Sequence, residues 1–269
     1  MVVFAPASVY DSPMSSPLLL ALALLSLSPR AHAEILVSWN PEILPDVSSP
    51  DHLDQALDLA HFSRLPLFLK QNETGAVKEV ATCRQYLRLK AQNFQPAHNI
   101  DVAAESAFVS RCRTLEFLAI AKPSRTSFLP RSLGENSVAA LPICLGEIGG
   151  DSGFWAQNNA QMARGQSLAS DPWEKIQAEP RGSLRLTGDG EIRNFTLLAS
   201  GDVNGDGVED LLLFSETVYP GGTARLFEAY KMSRTDDGIL RLLEQTGKTF
   251  DGVTYGCPRT FGANLQSSR

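Results

Sequence analysis

The spacing of apolar residues changes along this chain, and that change constrains the fold more than any other feature. In segments 75–92 and 101–121, apolar residues recur every three or four positions, which is the period of a buried helix face. From Arg181 onward they alternate with polar residues or form short runs bounded by glycine, which is typical of strands. Helices followed by strands predict an α+β fold in which the two kinds of element are segregated.

Three helices are expected in a helical region over residues 34–122. The first covers Asp51 to Phe62, and the second covers 75–92. The third covers 101–121, with Asp101 as its N-cap, and ends at Lys122-Pro123 because proline disfavours a helical residue before it.

The strands are expected to form a small antiparallel meander of about five strands within residues 181–269. Its segments are Ser183–Thr187, Glu191–Leu198, Leu211–Phe214, Ala224–Ser233 and Ile239–Leu243. The intervening region, 123–180, is rich in Pro, Gly, Ser and Asn over most of its length and predicts an irregular linker. A short helical turn is expected within it at Asp171–Gln177, because Asp171 suits an N-cap and a proline follows.

Four cysteines indicate two disulfides in an oxidising compartment, and the count alone allows three connectivities. The pairing Cys83–Cys112 is favoured because both residues lie on the apolar faces of successive predicted helices, at equal distances from the loop between them. Cys144 with Cys257 would then be the second bond. A zinc site is the alternative, but the chain has no Cys-x-x-Cys pair.

The first 33 residues have the pattern of a signal peptide. A short apolar run, Pro17 to Leu27, precedes the small-x-small ending Ala31-His32-Ala33, and the run is too short to span a bilayer. A start at Met14 would remove an acidic leader that fits this pattern badly. We therefore expect a periplasmic or secreted, soluble product that begins at Glu34, with a retained membrane anchor as the alternative.

The net charge of −6 at pH 7 argues against a nucleic-acid partner, which requires concentrated positive charge.

One loop carries a pattern of metal ligands. Counted from its first aspartate, oxygen-bearing side chains fall at positions 1, 3, 5 and 9: Asp202, Asn204, Asp206 and Asp210. Calcium takes six to eight oxygen ligands, so alternate residues of a tight loop must point inward, and Gly207 allows the sharp turn. The carbonyl of Val208 would then face the ion. The spacing predicts a calcium site, and a plain hairpin turn is the alternative.

An EF-hand does not fit this loop, because its twelfth position holds Leu213 instead of a bidentate Glu and its flanks read as strands. The segment 195–245 resembles a single copy of the strand–loop–strand calcium motif of FG-GAP and VCBS-type repeats. That resemblance implies five ligands: Asp202, Asn204, Asp206, Val208 (through its carbonyl) and Asp210. The expected fold is thus a disulfide-linked helical hairpin region followed by a β-meander that carries one calcium loop.

No catalytic residues are identified, so an enzyme is not the favoured interpretation. Gly150 to Gly153 copies part of a serine-protease motif, but no suitable histidine segment accompanies it. Phe154-Trp155 is expected to anchor a loop. Glu216 and Glu228 could suggest the paired carboxylates of a glycosidase, but nothing in the sequence sets their separation, and exposed strand faces carry acids routinely.

Two functional hypotheses remain. The first is an exported calcium-binding protein with a structural ion that interacts with an envelope protein or polysaccharide. The alternative is a periplasmic or secreted hydrolase of cell-wall or extracellular polymer, with its site in residues 130–170.

Overall fold

The computed structural model describes most of the chain after residue 33. The described residues are 34–60, 66–128, 132–145, 160–161, 164, 166–188, 190–222, 225–234, 240–245, 248–250, 253–255 and 260–261. The predicted signal peptide, the Gly150–Gly153 motif, Phe154-Trp155 and Cys257 lie outside them.

Thirteen strands and three α-helices are found among the described residues. The helices are α1 (Leu53–Asp58), α2 (Cys83–Ala91) and α3 (Asn99–Ile120). The strands are β1 (Ser38–Trp39), β2 (Leu67–Gln71), β3 (Val77–Val80), β4 (Phe94–Pro96), β5 (Lys175–Glu179), β6 (Ser183–Gly188), β7 (Glu191–Gly201), β8 (Asp210–Val218), β9 (Arg225–Arg234), β10 (Leu240–Gln245), β11 (Lys248–Phe250), β12 (Val253–Tyr255) and β13 (Thr260–Phe261).

The main sheet is antiparallel and contains eight of these strands. Seven follow the order β13-β10-β9-β8-β7-β6-β5, and β1 pairs with β7 beyond the end of β6. From β5 to β10 each strand pairs with the next one along the chain, as expected for a meander. Strands β7 and β8 run side by side from Ile192↔Val218 to Gly201↔Asp210, so the loop between them projects from one end of the sheet.

Both faces of the main sheet are buried. Leu212 and Phe214 of β8 pack in a core with α3 and the N-terminal region, whereas Leu213 packs in a second core on the opposite face. The second core is covered by segment 133–145 and by Leu168. Because successive residues of a strand point to opposite faces, a strand buried on both sides reads as a continuous apolar run.

The N-terminal region also contains a sheet, in the order β3-β2-β4. Helix α3 crosses from this sheet to the main sheet and is buried along most of its length. The Asp101 carboxylate accepts hydrogen bonds from the backbone amides of Phe68 and His98, which fixes the start of α3 against β2. None of the described helices is long and apolar enough to cross a membrane.

The predicted α+β fold, a helical hairpin region followed by a small meander, is wrong. The described chain is mostly β, with an eight-stranded main sheet and strands in the N-terminal region as well. Residues 77–80, predicted to be helical, form β3 because pairing with β2 outweighs their helix-like spacing. The helix begins only at Cys83, where the Thr82 side chain caps it by accepting from the Gln85 amide.

Two smaller predictions are also wrong. The helical turn expected at Asp171–Gln177 is replaced by the first residues of β5, which pair with β6. Asp101 is not the N-cap of α3. The N-cap is His98, and Asp101 lies three residues later, where its carboxylate completes a capping box.

The predicted bond between Cys83 and Cys112 is confirmed. Both cysteines are buried, and the bond joins α2 to α3. Cys144 is disulfide-bonded as well. Its predicted partner, Cys257, lies outside the described residues, so that pairing stays a prediction.

Replacing Cys83 and Cys112 together with alanine should lower the free energy of unfolding by about 3 kcal/mol, because the bond closes a loop with a sequence separation of 29. Urea denaturation under oxidising conditions measures this loss. Ser110→Ala on α3 is the control and should change stability by less than about 0.5 kcal/mol. A double variant as stable as the wild type would contradict a stabilising cross-link.

Candidate metal centre in the β7–β8 loop

The loop that joins β7 to β8 has a buried inner side and an exposed outer side. Asp202 and Asp210 are 5% and 0% exposed, whereas Asn204 and Asp206 are exposed. Gly207 has a φ of 81°, a left-handed conformation that glycine adopts without strain. The four side chains predicted as ligands therefore divide into two buried acids at the ends of the strands and two exposed polar side chains at the tip of the loop.

Side chains of the loop accept hydrogen bonds from its own backbone. The two carboxylate oxygens of Asp202 accept from the amides of Gly205 and Gly207, at 2.6 and 2.8 Å. Across the base of the loop, Asp210 Oδ2 accepts from the Val203 amide at 2.9 Å. These bonds hold the chain in a tight turn around Asp202.

Asn204 and Asp206 make the same kind of local bond at the exposed side of the loop. The Asn204 side-chain oxygen accepts from the Asp206 amide at 2.9 Å, and Asp206 Oδ1 accepts from the Val208 amide at 2.7 Å.

The other oxygen of Asp210 is anomalous. Asp210 Oδ1 is buried and has no hydrogen-bond partner. Loss of solvation raises the pKa of Asp210 to about 6, with further contributions from the neighbouring carboxylates of Asp206 and Asp202. The Val203 amide and the hydroxyl of Ser233, the residue of β9 that pairs with Asp210, offset part of this increase. A buried, unpaired carboxylate oxygen costs free energy unless a proton or a cation neutralises it.

A segment after α3, residues 122–126, lies along the loop and is here called the strap. The backbone of Lys122 exchanges two hydrogen bonds with that of Asp202, at 2.8 and 2.9 Å. The Arg125 and Thr126 amides both donate to the Gly207 carbonyl, at 2.8 and 3.2 Å. The loop is thus held at its buried residues Asp202 and Gly207 by backbone bonds to a segment distant in sequence.

The guanidinium group of Arg125 lies next to Gly207. A Cβ at this position would lie 2.7 Å from two guanidinium nitrogens of Arg125, so the end of that flexible side chain would have to shift. The positive φ, more than the space near Arg125, is therefore what favours glycine at this position. Sequence spacing could not identify Lys122 or Arg125, because the contacts join segments about 80 residues apart.

The donor chemistry of the loop suits a hard cation, since the predicted ligands are all oxygen atoms. The unpaired Asp210 Oδ1 supplies a place for positive charge. However, among the described residues no three His, Cys, Asp or Glu side chains are gathered closely enough to hold a metal ion. Binding would require the exposed side chains of Asn204 and Asp206 to turn from their backbone partners toward the buried acids.

The carboxylates considered for glycosidase chemistry are on opposite faces of the main sheet. Glu216 pairs with Phe227 and Glu228 with Ser215 on adjacent strands. Glu216 accepts from Ser106 of α3 on the first face, whereas Glu228 is buried on the second face. The sheet separates the two groups, so they cannot flank one glycosidic bond.

In the presence of a chelator, the wild type should lose about 1–1.5 kcal/mol of stability between pH 5 and pH 7.5 through Asp210. Its folded-state pKa is raised to about 6, so the folded protein binds more protons than the unfolded chain below that pH, and this stabilisation disappears as the pH rises through 6. Urea denaturation at several pH values measures it. Asp210→Asn should lack this component, whereas Asp54→Asn, at an exposed site on α1, should retain it.

Equal pH dependence in the wild type and Asp210→Asn would show that Asp210 does not titrate as described.

Comparison with known proteins found no relative of this chain. No protein family, no curated protein and no solved structure matches this chain.

Proposed function

We propose that this chain is a calcium-binding protein and that the ion stabilises its main sheet at the β7–β8 loop. The observation that carries the proposal is the unpaired oxygen of Asp210, a fully buried carboxylate at the base of an oxygen-rich loop. Calcium would neutralise this charge and join the end of β7 to the start of β8.

Five residues would hold the ion, in agreement with the resemblance to FG-GAP and VCBS-type loops: Asp202, Asn204, Asp206, Val208 (through its carbonyl) and Asp210. Asp202 and Asp210 are already buried at the two strand ends. Their hydrogen bonds to backbone amides leave lone pairs on the carboxylate oxygens, because each oxygen has two. The exposed Asn204 and Asp206 are free of packing constraints that would prevent them from turning inward.

A protonated Asp210 in a plain turn is the rival account of the same loop. Protonation explains the burial of Asp210 only at acidic pH. The pKa of the carboxyl group is about 6, so the group is ionised at higher pH. The rival account also leaves the repulsion of Asp202 and Asp206 with Asp210 uncompensated, since each raises the pKa of Asp210. Near neutral pH, a cation accounts for the three acids together.

We also propose that the protein is exported and acts as a binding protein of the cell envelope, with an envelope protein or polysaccharide as its partner. The Cys83–Cys112 bond supports export, because disulfides persist in oxidising compartments. Extracellular calcium modules bind at on the order of 10⁻⁴–10⁻³ M, which suits such a compartment. The opposite-face arrangement of Glu216 and Glu228 gives no support to the hydrolase alternative.

Addition of about 10 mM calcium should raise the free energy of unfolding at neutral pH by roughly 1.5–3 kcal/mol, since the ion binds the folded state. Thermal unfolding, with isothermal titration calorimetry, measures the effect. Asp210→Asn should abolish the shift while leaving the protein folded in chelator. The control Asp54→Asn, on α1, should respond as the wild type does.

No shift in the wild type and no heat of binding would contradict the proposal. A shift that persists unchanged in Asp210→Asn would place the ion elsewhere in the molecule.

Export predicts that the protein produced in a bacterial host begins at Glu34 after secretion. N-terminal sequencing of the protein recovered from the periplasm or medium tests this, with Ala33→Tyr as the comparison, because signal peptidase requires a small residue there. An intact N-terminus retained in the cytoplasm would contradict export.

A further inference from the structure

The N-terminal segment Ile35–Trp39 contacts the same strap that holds the calcium loop. The backbones of Ile35 and Ser124 exchange two hydrogen bonds, at 2.7 and 2.9 Å. Beyond this bridge, β1 pairs with the last residues of β7, Ala199 and Ser200. The strap therefore lies between the N-terminal segment and the loop and is hydrogen-bonded to both.

These elements converge at Gly201, the residue immediately before the loop. A Cβ at Gly201 would lie 3.0 Å from the Ala121 side chain, 3.2 Å from that of Val37 and 3.3 Å from the Lys122 carbonyl. Such contacts are tighter than normal packing allows, and the neighbouring groups would have to move. The end of β7, the strap and the N-terminal segment thus fit together closely at one point.

The bonds of the strap to the loop require the loop to keep its turn. The Gly207 carbonyl accepts from Arg125 and Thr126, and the Thr126 carbonyl accepts from the Glu209 amide at 2.8 Å. Repulsion among the loop carboxylates opposes this turn when no cation is bound. An opening of the loop breaks these three bonds, which hold the strap in the position where Ser124 pairs with Ile35.

We propose that calcium at the β7–β8 loop controls the attachment of the N-terminal segment Ile35–Trp39 to the main sheet, with the strap transmitting the effect. This inference rests on the proposed calcium site. The ion stabilises the closed loop, the closed loop holds the strap, and the strap holds Ile35. Loop, strap and N-terminal segment form one cooperative unit that opens locally without unfolding the sheet.

Amide hydrogen exchange of the full processed chain, with about 10 mM calcium or with chelator, tests the coupling. Calcium should slow exchange at Ile35 and Ser124 by roughly tenfold or more, as it does at the loop amides of Gly205 and Gly207. The amide of Gln71, which donates to Ala76 in the β2–β3 hairpin, is the internal reference and should change much less.

Slower exchange at the loop amides with no change at Ile35 and Ser124 would overturn the coupling and leave the calcium site intact. No change at any of these amides would overturn the calcium site and the coupling together. Equal slowing at Gln71 would overturn the coupling too, because it would indicate only global stabilisation.

A variant at Gly201 tests the strap contact independently of calcium binding. Gly201→Ala should keep calcium-dependent protection of Gly205 and Gly207 but lose it at Ile35, because the added Cβ displaces Val37 and the strap. Gly134→Ala is the matched control, since a Cβ there meets open space, and it should behave as the wild type. Calcium-dependent protection of Ile35 that persists in Gly201→Ala would contradict transmission through this contact.

Discussion

The main sheet is covered on both faces, and the rest of the structure depends on this burial. Along β8, Leu212 faces the core shared with α3, and Leu213 faces the core built by segment 133–145. This burial extends to the first residue of the strand. In β8 that residue is Asp210, so the architecture places a carboxylate where water cannot solvate it.

Burial at the base of the β7–β8 loop explains the unusual chemistry of the Asp210 carboxylate. Asp210 has one oxygen bonded to the Val203 amide and one with no partner, and its pKa is raised to about 6. Asp206 lies in contact with solvent. The proposed ion would neutralise the buried carboxylate of Asp210. The exposed side chains of Asn204 and Asp206 would complete its coordination by turning inward. The ion would also hold the strap, whose backbone bonds to Asp202 and Gly207 extend the effect toward the N-terminal segment.

Local patterns in the sequence predicted the features that depend on nearby residues. The hairpin around Gly188–Gly190, the strand through Leu211–Phe214 and the Cys83–Cys112 bond follow from alternation, glycine placement and helical spacing, and the structure contains all three. The glycine at position 207 was expected from the turn alone.

Features that depend on distant residues were missed. Strand β3 has the local spacing of a helix and becomes a strand only by pairing with β2. The strap has no recognisable pattern, because its role comes from backbone bonds to a loop about 80 residues away. The separation of Glu216 from Glu228 likewise depends on the register of β8 with β9, which neither segment specifies alone.

We propose that a calcium ion binds Asp210 Oδ1, the buried carboxylate oxygen that has no hydrogen-bond partner. A crystal structure of the processed protein grown near neutral pH in about 10 mM calcium, with anomalous scattering data, tests it most directly. We expect an anomalous peak about 2.3–2.6 Å from Asp210 Oδ1, with Asp202, Asn204, Asp206 and the Val208 carbonyl at similar distances. A loop with no peak, and with Asp206 still turned to the Val208 amide, would contradict it.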